Sequence, residues 1–195
     1  LEEHLLSKEV AKKAIAIGRK YDTLLEVYFD GQGYAQKDEI AQVRKYHKNP
    51  NMWDYFLRTR IAVDSLEDLL DEKEGNLDKV QMLFADMEER EEAWKELERE
   101  GVFELVGSLQ YNIEINAVGV NKGTGLVNLG KMLGIRREEI MACGDGDNDI
   151  AMLKEVGFGV AMANAEEKVK AVADYITESN NDEGVAKAIE KFVLK

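Results

Sequence analysis

Apolar positions along the chain change rhythm about two thirds of the way through. In residues 7–19, Val10, Ala14 and Ile17 recur at helical spacing, and Ser7 followed by Glu9 suits a helix start. Residues 24–29 form an apolar stretch ended by Asp30-Gly31-Gln32-Gly33, which predicts a strand and a turn. Residues 38–46 are expected to be a helix, residues 47–50 a turn-rich break, and Asp64 the cap of a short helix reaching Leu70. Residues 79–85 alternate, with Val80, Met82 and Phe84 on one face of a half-buried strand. Residues 86–100 are a highly charged helix stopped by Gly101. Two strands at 103–109 and 111–120 are expected to pair antiparallel, with Tyr111, Ile113 and Ile115 on the face opposite Asn112, Glu114 and Asn116. Residues 1–118 therefore predict an α+β unit, a mostly antiparallel sheet with helices on one side.

Residues 119–195 follow a different grammar. A helix at 123–133, with Leu126, Leu129 and Leu133 facing inward, is closed by Gly134. Short, continuously apolar strands at 140–143, 158–162 and 175–177 alternate with helices at 148–156, at 164–173 with Asn164 as cap, and at the C-terminal end up to Phe192. Such strands predict a parallel sheet covered on both faces, an α/β unit.

Charge sharpens this division. The chain carries 26 Lys and Arg against 39 Asp and Glu, a net charge of −13. Of that, −10 falls on residues 1–118 and −3 on residues 119–195. A chain this acidic repels a phosphate backbone, so nucleic acid is not an expected partner. No apolar run spans a bilayer and no signal-like stretch is present, so the expected location is cytoplasmic, away from any membrane. The single cysteine, Cys143, excludes an internal disulfide and reads as a packed, inert thiol within its strand. His4 and His47 lie in polar, turn-like surroundings and are given no role.

The chemistry concentrates at residues 140–152, Ile-Met-Ala-Cys-Gly-Asp-Gly-Asp-Asn-Asp-Ile-Ala-Met. A buried strand runs into a glycine turn holding Asp145, Asp147 and Asp149, and a helix follows. In open α/β sheets, ligands bind outside the carboxyl ends of the strands. Three carboxylates crowded there are expected to repel one another, and a hard divalent cation would relieve the repulsion. Mg²⁺ suits the place, because it takes one or two carboxylates with waters and phosphate oxygens. An EF-hand does not fit, since Ile150 and Val156 stand where that loop needs glycine and glutamate. A phosphate loop at residues 125–132 fails at Met132, and Gly31 with Gly33 lacks the third glycine of a dinucleotide fingerprint. Lys122, at the start of a helix directly after the antiparallel pair, can bring a point charge to a phosphate at the sheet edge.

Taken in order, these motifs have company. Asn121-Lys122-Gly123, Gly144 to Asp149, Met152-Leu153, Val160-Ala161-Met162-Ala163-Asn164-Ala165, Ala173 to Thr177 and Asp182 to Ala186 together resemble the haloacid dehalogenase superfamily, and specifically its Cof-type phosphatases. The resemblance is dense after residue 119. Before it, the likeness is loose and rests on Tyr28 to Gly31 and Ile113 to Ile115. It implies a Rossmann-like parallel-sheet core and an α/β cap, with residues 1–118 as the cap and residues 119–195 as the C-terminal half of the core. It also implies Mg²⁺-dependent hydrolysis of small phosphomonoesters through an aspartyl-phosphate. On that resemblance Lys122 is the catalytic, phosphate-pairing lysine and Asn148 touches the phosphate. Asp145 is the direct Mg²⁺ ligand, Asp149 an outer or water-mediated one, and Asp147 faces solvent.

One part of the family pattern is missing. No strand in these residues leads into Asp-x-Asp-Gly-Thr, and Asp30 has no acid two residues before it and no threonine after it. The reading is therefore a cap plus half a core, with the nucleophile outside these residues and the chain inactive as it stands. An uncovered core flank is expected to favour self-association. Two other readings remain open at this point. One is a non-catalytic fragment that binds a partner, and the other a stand-alone metal-binding module.

Overall fold

A computed structural model describes residues 3–194 and divides the chain into two compact units, Leu1–Val118 and Gly119–Lys195. In the first unit the elements run α1 (Lys8–Gly18), β1 (Thr23–Phe29), β2 (Gln32–Gln36), α2 (Lys37–Ala41), α3 (Val43–Tyr46), α4 (Trp53–Thr59), β3 (Arg60–Val63), α5 (Leu66–Glu72), β4 (Lys79–Phe84), α6 (Met87–Glu100), β5 (Glu104–Val106) and β6 (Asn112–Asn116). The sheet order is β3-β2-β1-β4-β6-β5, with β2–β3 parallel and the other pairs antiparallel.

Local chemistry sets the ends of these elements. The Ser7 hydroxyl accepts from the Val10 amide and starts α1. Asp86 caps α6 by accepting from Glu88 at 2.7 Å, and Gly101 ends it in the left-handed conformation, φ 64°. The turn between β1 and β2 is Asp30-Gly31 with φ of 51° and 74°, the pattern of a two-residue type I′ hairpin. That turn makes Gln32–Gln36 a strand, which its weak Gln-Gly-Tyr-Ala-Gln pattern did not announce.

Alternation along β1 builds two cores instead of one. Leu25, Val27 and Phe29, with Val80, Met82, Phe84, Ile113 and Ile115, pack against α1, α5 and α6. Leu24, Ala35 and Leu83 face the other way and meet Val43, Tyr46 and Phe56 of α3 and α4. Helices therefore cover both faces of this sheet, contrary to the one-sided packing expected from sequence. The expected helix at 38–46 is two short ones, α2 and α3, broken at Gln42. Ser65, not Asp64, caps α5, because its hydroxyl accepts from Asp68 while Asp64 pairs with Lys37. His47 is not in polar surroundings: it is buried, packs edge-on against Phe56 and Tyr111, and shares a 3.2 Å hydrogen bond with the Tyr111 hydroxyl.

The second unit runs α7 (Lys122–Met132), β7 (Met141–Gly144), α8 (Ile150–Glu155), β8 (Phe158–Ala161), α9 (Glu167–Lys170), β9 (Tyr175–Ile176) and α10 (Gly184–Phe192). Its sheet is parallel in the order β7-β8-β9, with Gly144 beside Ala161 and Ala161 beside Ile176. Leu153, Ala161, Ala165 and Val169 form a small core under α8 and α9. On the other face Phe192 of α10 meets Phe158 and Tyr175, with ring centroids 4.7 and 5.0 Å apart.

Of the leucine stripe of α7, Leu126 is half-buried, but the other two do not face inward. Leu129 and Leu133 are 48% and 65% exposed, because α7 leans on its neighbours through Gly123 and Gly130 instead. Two largely apolar grooves, both also lined by Glu139, include Met141 at the start of β7. One, of about 440 Å³, includes Ile140, Met141, Phe158, Phe192 and Val193. The other, of about 240 Å³, includes Leu126, Leu129, Leu133, Ile135, Ile140 and Met141. Among the described residues no helix is long and apolar enough to cross a membrane.

Candidate functional site

At the carboxyl end of β7 the chain turns on Gly144. A side-chain carbon at this position would sit 2.5 Å from Cβ of Asp149, so only glycine lets the loop close this tightly. The loop then wraps around the Asp149 carboxylate. Asp149 Oδ2 accepts from the backbone amides of Asp145 at 2.9 Å and Gly146 at 3.0 Å, and Oδ1 accepts from Lys122 Nζ at 2.6 Å. Burial of the side chain, 8% exposed, would raise its pKa, but Lys122 and the two amides outweigh burial and hold it below the usual carboxylate range. Asp149 thus organises the loop and orients the lysine.

Lys122 is the first residue of α7. Asn121 caps that helix, accepting from Gly123 at 2.9 Å and Thr124 at 3.0 Å, while the Thr124 hydroxyl accepts from the Asn121 amide. A cation at this end opposes the helix dipole, an unfavourable local choice. The ion pair with Asp149 offsets it, and the Lys122 side chain remains 49% exposed.

The remaining acids behave differently from one another. The Asp145 side chain is exposed, and its Oδ2 accepts from Asn164 Nδ2 at 3.0 Å. Among the described residues no donor reaches its Oδ1. Asp147 is paired with Lys168 at 2.6 Å, and Lys168 also reaches Glu166 at 3.3 Å. The half-buried Asn148 makes no side-chain hydrogen bond among the described residues, so its amide is free for a ligand. Burial pushes the Cys143 thiol pKa up, which keeps it protonated and unreactive.

The structure brings Lys122, Asp145, Asn148 and Asp149 to one strand end. It also adds a residue that sequence reading took for a helix cap. Asn164 does not cap α9, whose N-cap is Glu166; it is spent on Asp145 and on the amide of Asn180, which donates to its Oδ1 at 2.9 Å. Only its place in the ordered motif series pointed to it. Among the described residues no three His, Cys, Asp or Glu side chains converge into a ready metal cage. Mg²⁺ needs no such cage, since one or two carboxylates with waters and phosphate suffice, and the open Asp145 Oδ1 meets that demand. Asp149, with both oxygens engaged by protein donors, fits an outer position.

Comparison with known proteins gives this site relatives. A sequence model of haloacid dehalogenase-like hydrolases matches residues 1–189. The chain is 50% identical over 105 residues to a 5-amino-6-(5-phospho-D-ribitylamino)uracil phosphatase of Bacillus subtilis, covering 54% of this chain and 42% of that protein. It is 43% identical over 106 residues to a phosphoglycolate phosphatase of Methanobrevibacter smithii, covering 54% of this chain and 45% of the relative. The solved structure of a haloacid dehalogenase-like hydrolase from B. subtilis superposes with a TM-score of 0.82 at 25% identity, over 99% of this chain and 73% of that one. The matches thus span less than half the length of these two curated relatives.

Proposed function

The chain belongs to the haloacid dehalogenase-like hydrolases, and we propose that it forms the cap and the phosphate-side half of a Mg²⁺-dependent, cytoplasmic phosphatase of small phosphorylated metabolites. The observation that carries this reading is the Lys122–Asp149 pair, fixed at the carboxyl end of a parallel strand by two loop amides. Residues 1–118 serve as the cap and residues 119–195 as the core half. The β7 edge and the two largely apolar grooves support a further part of the reading. A core segment bearing the nucleophilic aspartate pairs with β7, and the chain without it turns over no substrate and self-associates.

In the reaction an aspartate carboxylate supplied by that segment attacks phosphorus. The leaving alcohol takes a proton from a second acid, and water then cleaves the aspartyl-phosphate. Lys122 offsets negative charge on the transferring group, and Asn148 donates to one of its oxygens. Asp149 holds the ammonium in place and keeps the loop amides pinned. Asp145 offers its free oxygen to Mg²⁺, which when bound supplies charge neutralisation and orients the phosphoryl group.

The test uses the complete gene product with an aryl phosphate. Turnover in Mg²⁺ that EDTA abolishes is expected. Asp145→Ala should lose almost all of it, whereas Asp147→Ala, at an exposed ion pair, should retain most. Equal losses would show that the loop roles are wrongly assigned.

A further inference from the structure

We propose that the first unit holds a binding site for a small hydroxylated carboxylate, in the cavity between the β1–β2 turn, the end of α4 and the start of β3. The cavity has a volume of about 550 Å³, within the range of small-molecule sites. Every residue that lines it belongs to the first unit, so the inference stands apart from the phosphatase reading. Residues 1–118 carry a net charge of −10, yet the lining includes Arg58 and Arg60 and no acid. A basic recess on an acidic unit favours an anionic ligand.

Arg60 is built into place. Its side chain is 12% exposed and pairs with the wholly buried Glu26. The ring centroids of Phe56, Tyr28 and Tyr55 lie 4.9, 5.3 and 5.8 Å from its guanidinium carbon. Gly33 leaves the room it occupies, because a side-chain carbon there would sit 2.8 Å from Arg60 Cδ. Nε donates to Glu26, Nη1 to the Thr59 hydroxyl at 2.8 Å and Nη2 to the Tyr28 hydroxyl at 2.7 Å. The Tyr55 hydroxyl is also within hydrogen-bonding reach. A guanidinium has five N–H groups, so this fork keeps at least one for a ligand. Glu26 cancels its charge, so Arg60 gives direction and Arg58 the positive charge. Arg58 meets Asp54 at 3.7 Å, but the two side chains are 79% and 83% exposed. An exposed pair of this kind is weak and leaves Arg58 available.

Gln32 brings the opposite kind of group to the same lining. Its Nε2 donates to the carbonyls of Gly33 at 2.9 Å and Thr59 at 2.7 Å. Carbonyls only accept, so the amide is fixed, and Oε1 is left as an acceptor with no donor among the described residues. The recess therefore combines charged donors with a neutral acceptor. A carboxylate with hydroxyls beside it matches both, since its oxygens accept from the guanidiniums and a hydroxyl donates to Gln32 Oε1. A bare anion leaves Gln32 unused, and a neutral polyol leaves Arg58 unused.

The experiment titrates D-gluconate into the purified 195-residue chain and follows backbone amide shifts by NMR. Sorbitol, with an alcohol in place of the carboxylate, and acetate, without the hydroxyls, serve as comparison ligands. Gluconate should give saturable shifts at residues 31–33 and 58–61. Sorbitol should give none there, and acetate should bind about tenfold more weakly. Arg58→Gln should weaken gluconate about tenfold. Asp54→Asn, which removes the competing acid, should strengthen it by a few-fold. Both positions are exposed, so both variants should melt with the parent. No saturable gluconate shift, equal shifts with sorbitol, or an unchanged affinity in Arg58→Gln would overturn the inference. So would acetate binding as tightly as gluconate, because the hydroxyls would then contribute nothing.

Discussion

The two units solve the same packing problem to different extents. In the first, β1 alternates so completely that Leu24, Leu25 and Val27 are all fully buried and helices close both sheet faces. Even the wholly buried carboxylate of Glu26 is held by Arg60, the Tyr28 hydroxyl and Gln81. In the second unit, the sheet has three strands, and Leu129, Met132, Leu133, Ile135, Val193 and Leu194 are exposed. Yet the second unit holds the tightly arranged polar site. A chain can thus fix a few functional groups through short-range bonds, Gly144, Asp149 and Lys122 being near neighbours in one loop and one helix start, while its apolar surface stays unspent.

That contrast can be broken at several points, and the largest effect belongs to Lys122. In the complete gene product, Lys122→Ala should reduce turnover by roughly 10²–10³-fold, the scale of losing one preorganised charge at a reacting oxyanion. Lys122→Arg should recover only part of it, since a planar fork does not replace a point charge paired with Asp149. Steady-state kinetics with an aryl phosphate reads both.

Stability should separate the units next. Leu97→Ala, in the core under α6, is expected to cost about 2–5 kcal/mol in urea unfolding. Leu129→Ala in the isolated chain should stay within about 0.5 kcal/mol, as an exposed position does. A large cost at Leu129 would mean that the α7 stripe is packed after all.

The pH dependence gives a smaller contrast of opposite sign. Asp149 has a folded pKa below its unfolded value, so its contribution is present above about pH 4 and lost as pH falls through the folded pKa. Asp149→Asn should therefore be less stable than the parent at neutral pH by about 1–3 kcal/mol, and the gap should close in acid. Burial pushes Glu26 the other way despite Arg60, so Glu26→Gln should show no such closing gap. Smallest of all, Lys168→Ala, which frees Asp147, should change melting by the amount of an exposed ion pair, about 0–1 kcal/mol.

Sequence reading reached the elements whose periodicity is complete and whose punctuation is strong. α1, β1, β4, α6 with its Gly101 stop and the parallel β7-β8-β9 pattern all belong here. It missed β2, α4 and β3. Gln32–Gln36 carries no run of branched or aromatic residues, α4 buries only Phe56, and the edge strand β3 leaves Ile61 exposed. The inward reading of the α7 leucines shows the limit of periodicity: it identifies an apolar face but not what that face meets. At the site, the three aspartates stood out as carboxylates crowded at a strand end, whereas Lys122 drew attention only through the ordered motifs around it. Asn164 did not stand out, since an asparagine before a helix is an ordinary cap until its two hydrogen bonds are seen.

Central to the proposed function is the proposal that this chain carries the phosphate side of the reaction and a further core segment its nucleophile. Phosphate release from an aryl phosphate in Mg²⁺ tests it most directly, comparing the 195-residue chain, verified by intact mass, with the complete gene product. No turnover is expected from the chain, and EDTA-sensitive turnover from the complete product. Mg²⁺-dependent turnover by the chain alone that Asp30→Asn destroys would contradict the account, because the hairpin residue Asp30 would then be the nucleophile.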